Sequence, residues 1–208
     1  MARIRGWGGK IISTATTVDE ARWLQTHGAD AIIAQGVEAG GHRGYFLSRD
    51  LNTQCGTLAL LPEILRAVNI PVIAAGGIAD HKGVETVINL GAIAAQIGTA
   101  YLLCTEAATS VVHRAALQSD AAQVTALTNL FSGGAARGIV NRIMRELGPL
   151  SAAAPEFPLA GTAIAPLRAK AEGAGSGDFS PLWAGQNVSG CKAVSAMQLT
   201  RELAGVER

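Results

Sequence analysis

The apolar positions of this chain fall in short unbroken runs separated by amphipathic stretches. Ala31 to Ala34 is one such run, Ile70 to Ala75 another, and a third lies within AIAAQIG, which starts at Ala92. Runs of this length without polar alternation suit strands covered on both faces, as in a parallel sheet flanked by helices. Between them the spacing turns helical. Val18, Ala21 and Leu24 share a face after Thr17, whose offset from Glu20 is that of a capping box, and Gly28 is placed to end the helix. His27 sits in its last turn, where a cation suits the helix dipole, and reads as structural. Leu58, Leu61, Leu65 and Val68 predict a second helix, with Pro62 in its first turn or marking its start. Asp80 caps a third, which runs through Leu90 and stops at Gly91. With a short β-rich run after Lys10, the order is β, α, β, α, β, α, β.

Strict alternation with short loops leaves an open doubly wound sheet or a (β/α)8 barrel. The strand ends favour the barrel. Three successive strands run out into polar or glycine-rich residues, at Gln35 to His42, Gly76 to Ile78 and Gln96 to Thr99. A barrel gathers such ends around one mouth, whereas a dinucleotide-binding sheet needs GxGxxG in its first turn, which this chain lacks. Beyond Thr105 the rhythm changes. A helix around Ser110 to Ser119 leads to a β-rich piece turning at Gly133 and Gly134, then to a basic helix carrying Arg137, Arg142 and Arg145, read as a solvated face. Prolines and alanines loosen the chain from Pro149 to Pro166, Gly173 to Gly177 reads as an exposed turn, and a helix over Ser195 to Ala204 closes it.

Composition narrows the partners. The chain has 208 residues, 49% of them hydrophobic, and a net charge of +1, which argues for an ordinary core and against nucleic acid or an anionic membrane as the main partner. No apolar run is long enough to span a bilayer or to serve as a signal peptide, so the expected location is the cytoplasm. Cys55, Cys104 and Cys191 are odd in number and widely spaced, so free buried thiols are expected rather than disulfides or a metal site.

Candidate chemistry concentrates after the Ala31–Ala34 run, in QGVEAGGHRG. Gly40, Gly41 and Gly44 let the backbone take positive φ and approach a ligand, and His42 is the one side chain of this loop that titrates near neutrality. Backbone N–H groups at Gly76 to Ile78 and at Gly98 to Thr99 suit a phosphate, and Gln35 offers both donor and acceptor atoms. Arg43 reads as a surface or loop-closing residue. The plainer alternatives are tight turns for the glycines, satisfied polar strand ends for Gln35 and Gln96, and a bond within its own loop for His42.

Several ordered segments together resemble the nitronate monooxygenases, formerly 2-nitropropane dioxygenases: ATTVDEARWL from Ala15, AQGVEAGGHRG from Ala34, PVIAAGGIAD from Pro71, QIGTAYLLCTE from Gln96 and WAGQ from Trp183. The resemblance runs from about Ile12 to the last helix. It implies an FMN-dependent enzyme that oxidises a nitronate or nitroalkane with O2 to a carbonyl compound and nitrite. His42 matches the family's base, either abstracting the α-proton or, protonated, holding the anion. The flavin contacts match Gln35, Gly40, Gly77, Gln96, Ile97, Gly98 and Thr99, to which the physical reading adds Gly41 and Gly76.

Two departures stand beside this match. Gly134 and Ala135 occupy the place of an expected Arg-Pro, and the family's first half has no counterpart here, Met1 to Gly9 resembling nothing of it. The expected fold is therefore α/β, a partial TIM-type barrel of about the last four βα units in residues 1–106, with a mostly helical or extended C-terminal region in 107–208 packing on it. A half barrel leaves two parallel edges open, so self-association is expected. The runner-up activities are an FMN-dependent enoyl-acyl carrier protein reductase and an NAD(P)H:quinone reductase; a phosphate-binding aldolase or isomerase barrel lacks a lysine or carboxylate at these strand ends. A non-catalytic remnant is the alternative from another class.

Overall fold

The computed structural model describes residues 2–206, so the outer ends of both expected regions, at Met1 and at Glu207 and Arg208, lie outside the described residues. In chain order the elements are α1 (Ala2–Gly6), β1 (Ile12–Ala15), α2 (Val18–Thr26), β2 (Ala31–Gln35), β3 (Gly41–His42), α3 (Thr57–Ala67), β4 (Val72–Ala75), α4 (His81–Asn89) and β5 (Ala94–Gln96). There follow α5 (Val111–Leu117), β6 (Thr125–Thr128), β7 (Ala136–Ile139), α6 (Arg142–Leu147), α7 (Leu159–Gly173) and α8 (Ala196–Ala204). They divide into two units. One holds the chain up to Ala39, Gly44–Ile97 and Leu203–Val206; the other holds Gly40–Arg43 and Gly98–Glu202.

The first unit is built on a four-stranded parallel sheet in the order β1-β2-β4-β5, so this is an α/β fold. Its register sets Gln35 opposite Ala75 and Ala75 opposite Gln96, which brings three strand ends into one row. Ile32, Leu61, Ile64, Val72 and Val87 fill the core with alanines at Ala21, Ala34 and Ala74, whose small side chains let helix and sheet backbones approach. Thr17 caps α2 by accepting from the Glu20 N–H, but the Glu20 carboxylate does not close the box. It turns inward, 1% exposed, and accepts from Thr16 N and Oγ1 at 2.7 Å each and from the N–H groups of Phe46 and Leu47 at 2.7 and 3.3 Å. His27 follows α2 as its C-cap, with Nδ1 2.8 Å from the Trp23 carbonyl oxygen and its ring stacked on Trp23 at 3.7 Å.

The second predicted helix is α3, with a shifted face. It starts at Thr57, so Thr57, Leu60, Leu61 and Ile64 turn inward while Leu58 is 58% exposed. Pro62 lies inside the helix rather than at its start; the Leu58 carbonyl it leaves unbonded belongs to an exposed residue and can meet water. Asp80 caps α4 by accepting from the Gly83 N–H at 2.8 Å, and Gly91 follows at φ +109°.

The second unit contains a three-stranded antiparallel sheet in the order β3-β7-β6, with β6 and β7 paired on either side of the turn at Gly133. Residues 182–184 run along β7: Ile139 N–H donates to the Leu182 carbonyl at 2.8 Å, and Gly138 bridges Trp183. Two expectations fail here. Arg137 is not on the basic helix but within β7, 7% exposed, donating to the carbonyl and hydroxyl of Thr125 at 3.3 and 3.2 Å; only Arg142 and Arg145 lie on exposed α6. Ladder pairing with β3 and β6 outweighs the helical pattern of basic residues. The stretch expected to be loose to Pro166 instead enters α7 at Leu159, an alanine-rich helix that continues through that proline. Alanine propensity sustains it where no apolar stripe announces a helix.

The cysteines are unbridged, but only Cys104 is buried; Cys191 is half-buried and Cys55 exposed. Among the described residues no helix is long and apolar enough to cross a membrane.

Candidate functional site

In the first unit the strand-end row opens into glycines packed around a fixed node. The Glu38 carboxylate accepts from the Thr57 N–H at 3.0 Å, at the N-terminus of α3, and Thr57 Oγ1 lies 3.0 Å from both Glu38 Oε2 and the Gly76 carbonyl oxygen. A Cβ on Gly36 would sit 2.1 Å from Thr57 Oγ1 and 2.3 Å from Glu38 Oε2. Gly76 and Gly77 follow β4 at φ +121° and +71°, and a Cβ on Gly76 would lie 2.7 Å from the same hydroxyl. Gln35 is committed in part: its Oε1 accepts from the Gly44 N–H at 2.9 Å, which anchors the return of the loop. Gln96 ends β5 with an exposed side chain, and Ile97 after it is half-buried.

In the second unit His42 stands on β3, exposed, with its Nε2 2.8 Å from Ser132 Oγ. The same hydroxyl lies 3.2 Å from the Gly134 carbonyl oxygen and receives the Gly134 N–H at 3.3 Å. It has one proton to give. Given to Gly134, it leaves His42 donating from Nε2 and keeping its lone pair on Nδ1; given to His42, it sets the ring proton on Nδ1. Trp183 meets the imidazole edge-on at 5.5 Å and Phe157 at 6.1 Å. Burial pushes the imidazole pKa below its ordinary value, which favours the neutral, proton-accepting form. Arg43 is not at the surface: it is 5% exposed, and its backbone N–H donates to the Ala135 carbonyl at 2.9 Å, which fits the loop-closing alternative.

WAGQ, present in the sequence only as a marker, is the hub of this unit. Gly138 has no side chain where a Cβ would meet the Trp183 ring at 3.1 Å, and Gly40 has none where one would lie 2.5 Å from the Gly185 nitrogen. The Gly185 N–H donates to Thr99 Oγ1 at 2.9 Å. Half-buried His113, its own pKa lowered by desolvation, hydrogen-bonds the Trp183 backbone. Gly40, His42 and Thr99 are thus gathered by residues 183–185. Ser132 and Phe157 were not legible as site residues, because a serine or aromatic without a motif signals nothing until its neighbours are known, and Trp183 stood only as part of the WAGQ marker.

The glycines expected at a cofactor sort into two kinds. At Gly40 and Gly76 the protein itself fills the space a Cβ would take, so these positions serve backbone packing. At Gly41, with φ +72°, and at Gly98 nothing lies within 4 Å of a built Cβ. These two present bare, open backbone, which a phosphate or ring edge can approach. The residues present therefore fit a phosphate-bearing group.

The sequence profile of the nitronate monooxygenase family matches residues 5–205. A probable nitronate monooxygenase of Bacillus subtilis is 41% identical over 194 residues, 93% of this chain and 56% of that protein. The nitronate monooxygenase of Pseudomonas aeruginosa is 40% identical over 197 residues, 94% of this chain and again 56% of the relative. The chain thus spans little more than half the length of these relatives. Among solved structures, the nitroalkane oxidase from Streptomyces ansochromogenes superposes with a TM-score of 0.89 at 42% identity, covering 99% of this chain and 60% of that one. FabK from Thermotoga maritima superposes with a TM-score of 0.76 at 27% identity, covering 98% and 62%.

Proposed function

The chain belongs to the nitronate monooxygenase family, and from that premise we propose that it is the C-terminal half of an FMN-dependent barrel that oxidises alkyl nitronates with O2 to a carbonyl compound and nitrite. The observation that carries this reading is His42: an imidazole on β3, hydrogen-bonded to Ser132, whose desolvation shifts its pKa downward and so favours the neutral form. In this reading Gln35, Gly40, Gly41, Gly76, Gly77, Gln96, Ile97, Gly98 and Thr99 hold FMN, with Gly41 and Gly98 as the backbone the group approaches. FMN, when bound, would supply the redox chemistry between substrate and O2.

The chain's own residues bind, orient and move a proton. Neutral His42 takes the α-proton of a nitroalkane; protonated His42 holds an anionic nitronate. Ser132 and Trp183 restrict the imidazole to one orientation, which is what a base needs to meet a C–H bond. Residues 1–106 are read as the barrel half and 107–208 as the region that supports it.

The test is flavin titration by fluorescence, then nitrite release from propionate 3-nitronate under air. FMN binding and nitrite formation that disappear in His42→Ala support the reading. A folded chain that binds no FMN overturns it and leaves a non-catalytic remnant.

A further inference from the structure

The second unit carries an open crevice of about 350 Å³, between α5 and the chain that runs from β7 into α6, and it shares no lining residue with the candidate site. Val112, Ala115, Ala116 and Ser119 reach it at helical spacing along and just past α5, and the two alanines leave the room that larger side chains would take. Ile139 and Leu182, both buried, form an apolar wall.

Asn141 lines the same crevice and is 6% exposed. Its Nδ2 donates to the Gly177 and Ser180 carbonyls at 2.9 Å each, which uses both amide protons and fixes which end of the side chain is oxygen. Oδ1 accepts from nothing among the described residues. An asparagine just before a helix ordinarily turns this oxygen onto a first-turn N–H, but here no such bond forms. A buried acceptor without a donor is costly, and a donor brought into the crevice removes that cost. Arg145 and the Asp178 carboxylate also line it, opposite in sign, so neither an anion nor a cation is favoured.

We propose that this crevice binds a small, uncharged, mostly apolar molecule that presents one N–H or O–H donor to Asn141 Oδ1. The apolar body of the ligand lies against Ile139, Leu182 and the alanine face of α5, where its burial drives binding. The hydrogen bond to Asn141 sets its orientation. This site is independent of the reading of His42 and of FMN.

Indole is the probe, and N-methylindole, which lacks the N–H, is its control. Both are titrated into the full chain and followed in proton–nitrogen NMR correlation spectra. Indole should shift the amide signals of Ala115, Gly175 and Gly177 and the side-chain amide of Asn141, and should bind about tenfold or more tightly than N-methylindole. Ala115→Leu, at an exposed position on α5, should fill the crevice and remove indole binding with the urea midpoint unchanged, whereas Ala115→Ser should bind as wild type does. Indole that shifts none of these signals overturns the proposal. Equal affinity for the two indoles, which assigns Oδ1 to water, overturns it as well, and so does undiminished binding by a folded Ala115→Leu chain.

Discussion

The Nε2 atom of His42 lies 2.8 Å from the hydroxyl of Ser132, 90 residues further along the chain. This bond joins β3 to the turn between β6 and β7 and fixes what Nε2 faces. Removing the hydroxyl takes that restraint from the imidazole. Ser132→Ala should lower kcat on neutral nitroethane about tenfold, while His42→Ala should lower it about a hundredfold or more. Ethyl nitronate, already deprotonated, should be much less sensitive. Nitrite assays on the two substrates check this; equal losses on both would assign His42 to anion holding instead.

The pH profile follows from the burial of the same ring. Desolvation lowers the pKa of His42, so it stays neutral to more acidic pH than a free histidine. Turnover of nitroethane should fall on an acid limb whose midpoint lies below the ordinary histidine value. His113 is depressed for the same first reason. For both groups the folded pKa is below the unfolded one, so their linked stability is present above the unfolded pKa and lost as pH falls toward the folded value. Urea midpoints measured from neutral to mildly acid pH should decline, and Ser132→Ala should leave the His113 part of that decline in place.

Gly36 tests the node under the first unit's glycines. A methyl there must enter the 2.1 Å gap to Thr57 Oγ1 and the 2.3 Å gap to the Thr57 nitrogen, which helix α3 cannot yield. Gly36→Ala should cost about 1–3 kcal/mol or more, read as a lower urea midpoint. Glu20→Ala should be at least as damaging, because it strands the buried N–H and hydroxyl of Thr16.

Gly98 separates a flavin contact from a structural glycine. With open space at its Cβ position and a negative φ of −112°, it accepts alanine without strain. Gly98→Ala should keep its stability within about 0.5 kcal/mol and weaken FMN binding about tenfold or more in a fluorescence titration. Unchanged affinity would remove Gly98 from the flavin site.

The parallel sheet ends in β1 and β5, and Ile12 on β1 and Ile93 just before β5 are 55% and 62% exposed. Open edges with apolar side chains pair with other chains. Sedimentation should show concentration-dependent association that Ile12→Lys reduces; a monomer at all concentrations would argue that the edges are not used.

The sequence by itself determined the alternation of strands and helices from β1 to β5, though not α1 or the short β3, together with the caps at Thr17 and Asp80, the glycine stops, and the strand ends that carry Gln35 and Gln96. Those features are local: apolar period, capping chemistry and positive φ act over a few residues and are written where they operate. It also singled out His42, because one titrating side chain in a glycine loop is conspicuous without any neighbours. Only the tertiary structure decided that Glu20 turns inward instead of closing its capping box, that Arg137 is ladder-paired in β7, and that α3 buries Leu60 rather than Leu58. It alone set Ser132, Phe157 and Trp183 around the imidazole. These depend on which surfaces meet across long stretches of chain, and the cost of leaving a buried polar group unpaired or a void unfilled is defined only once they have met.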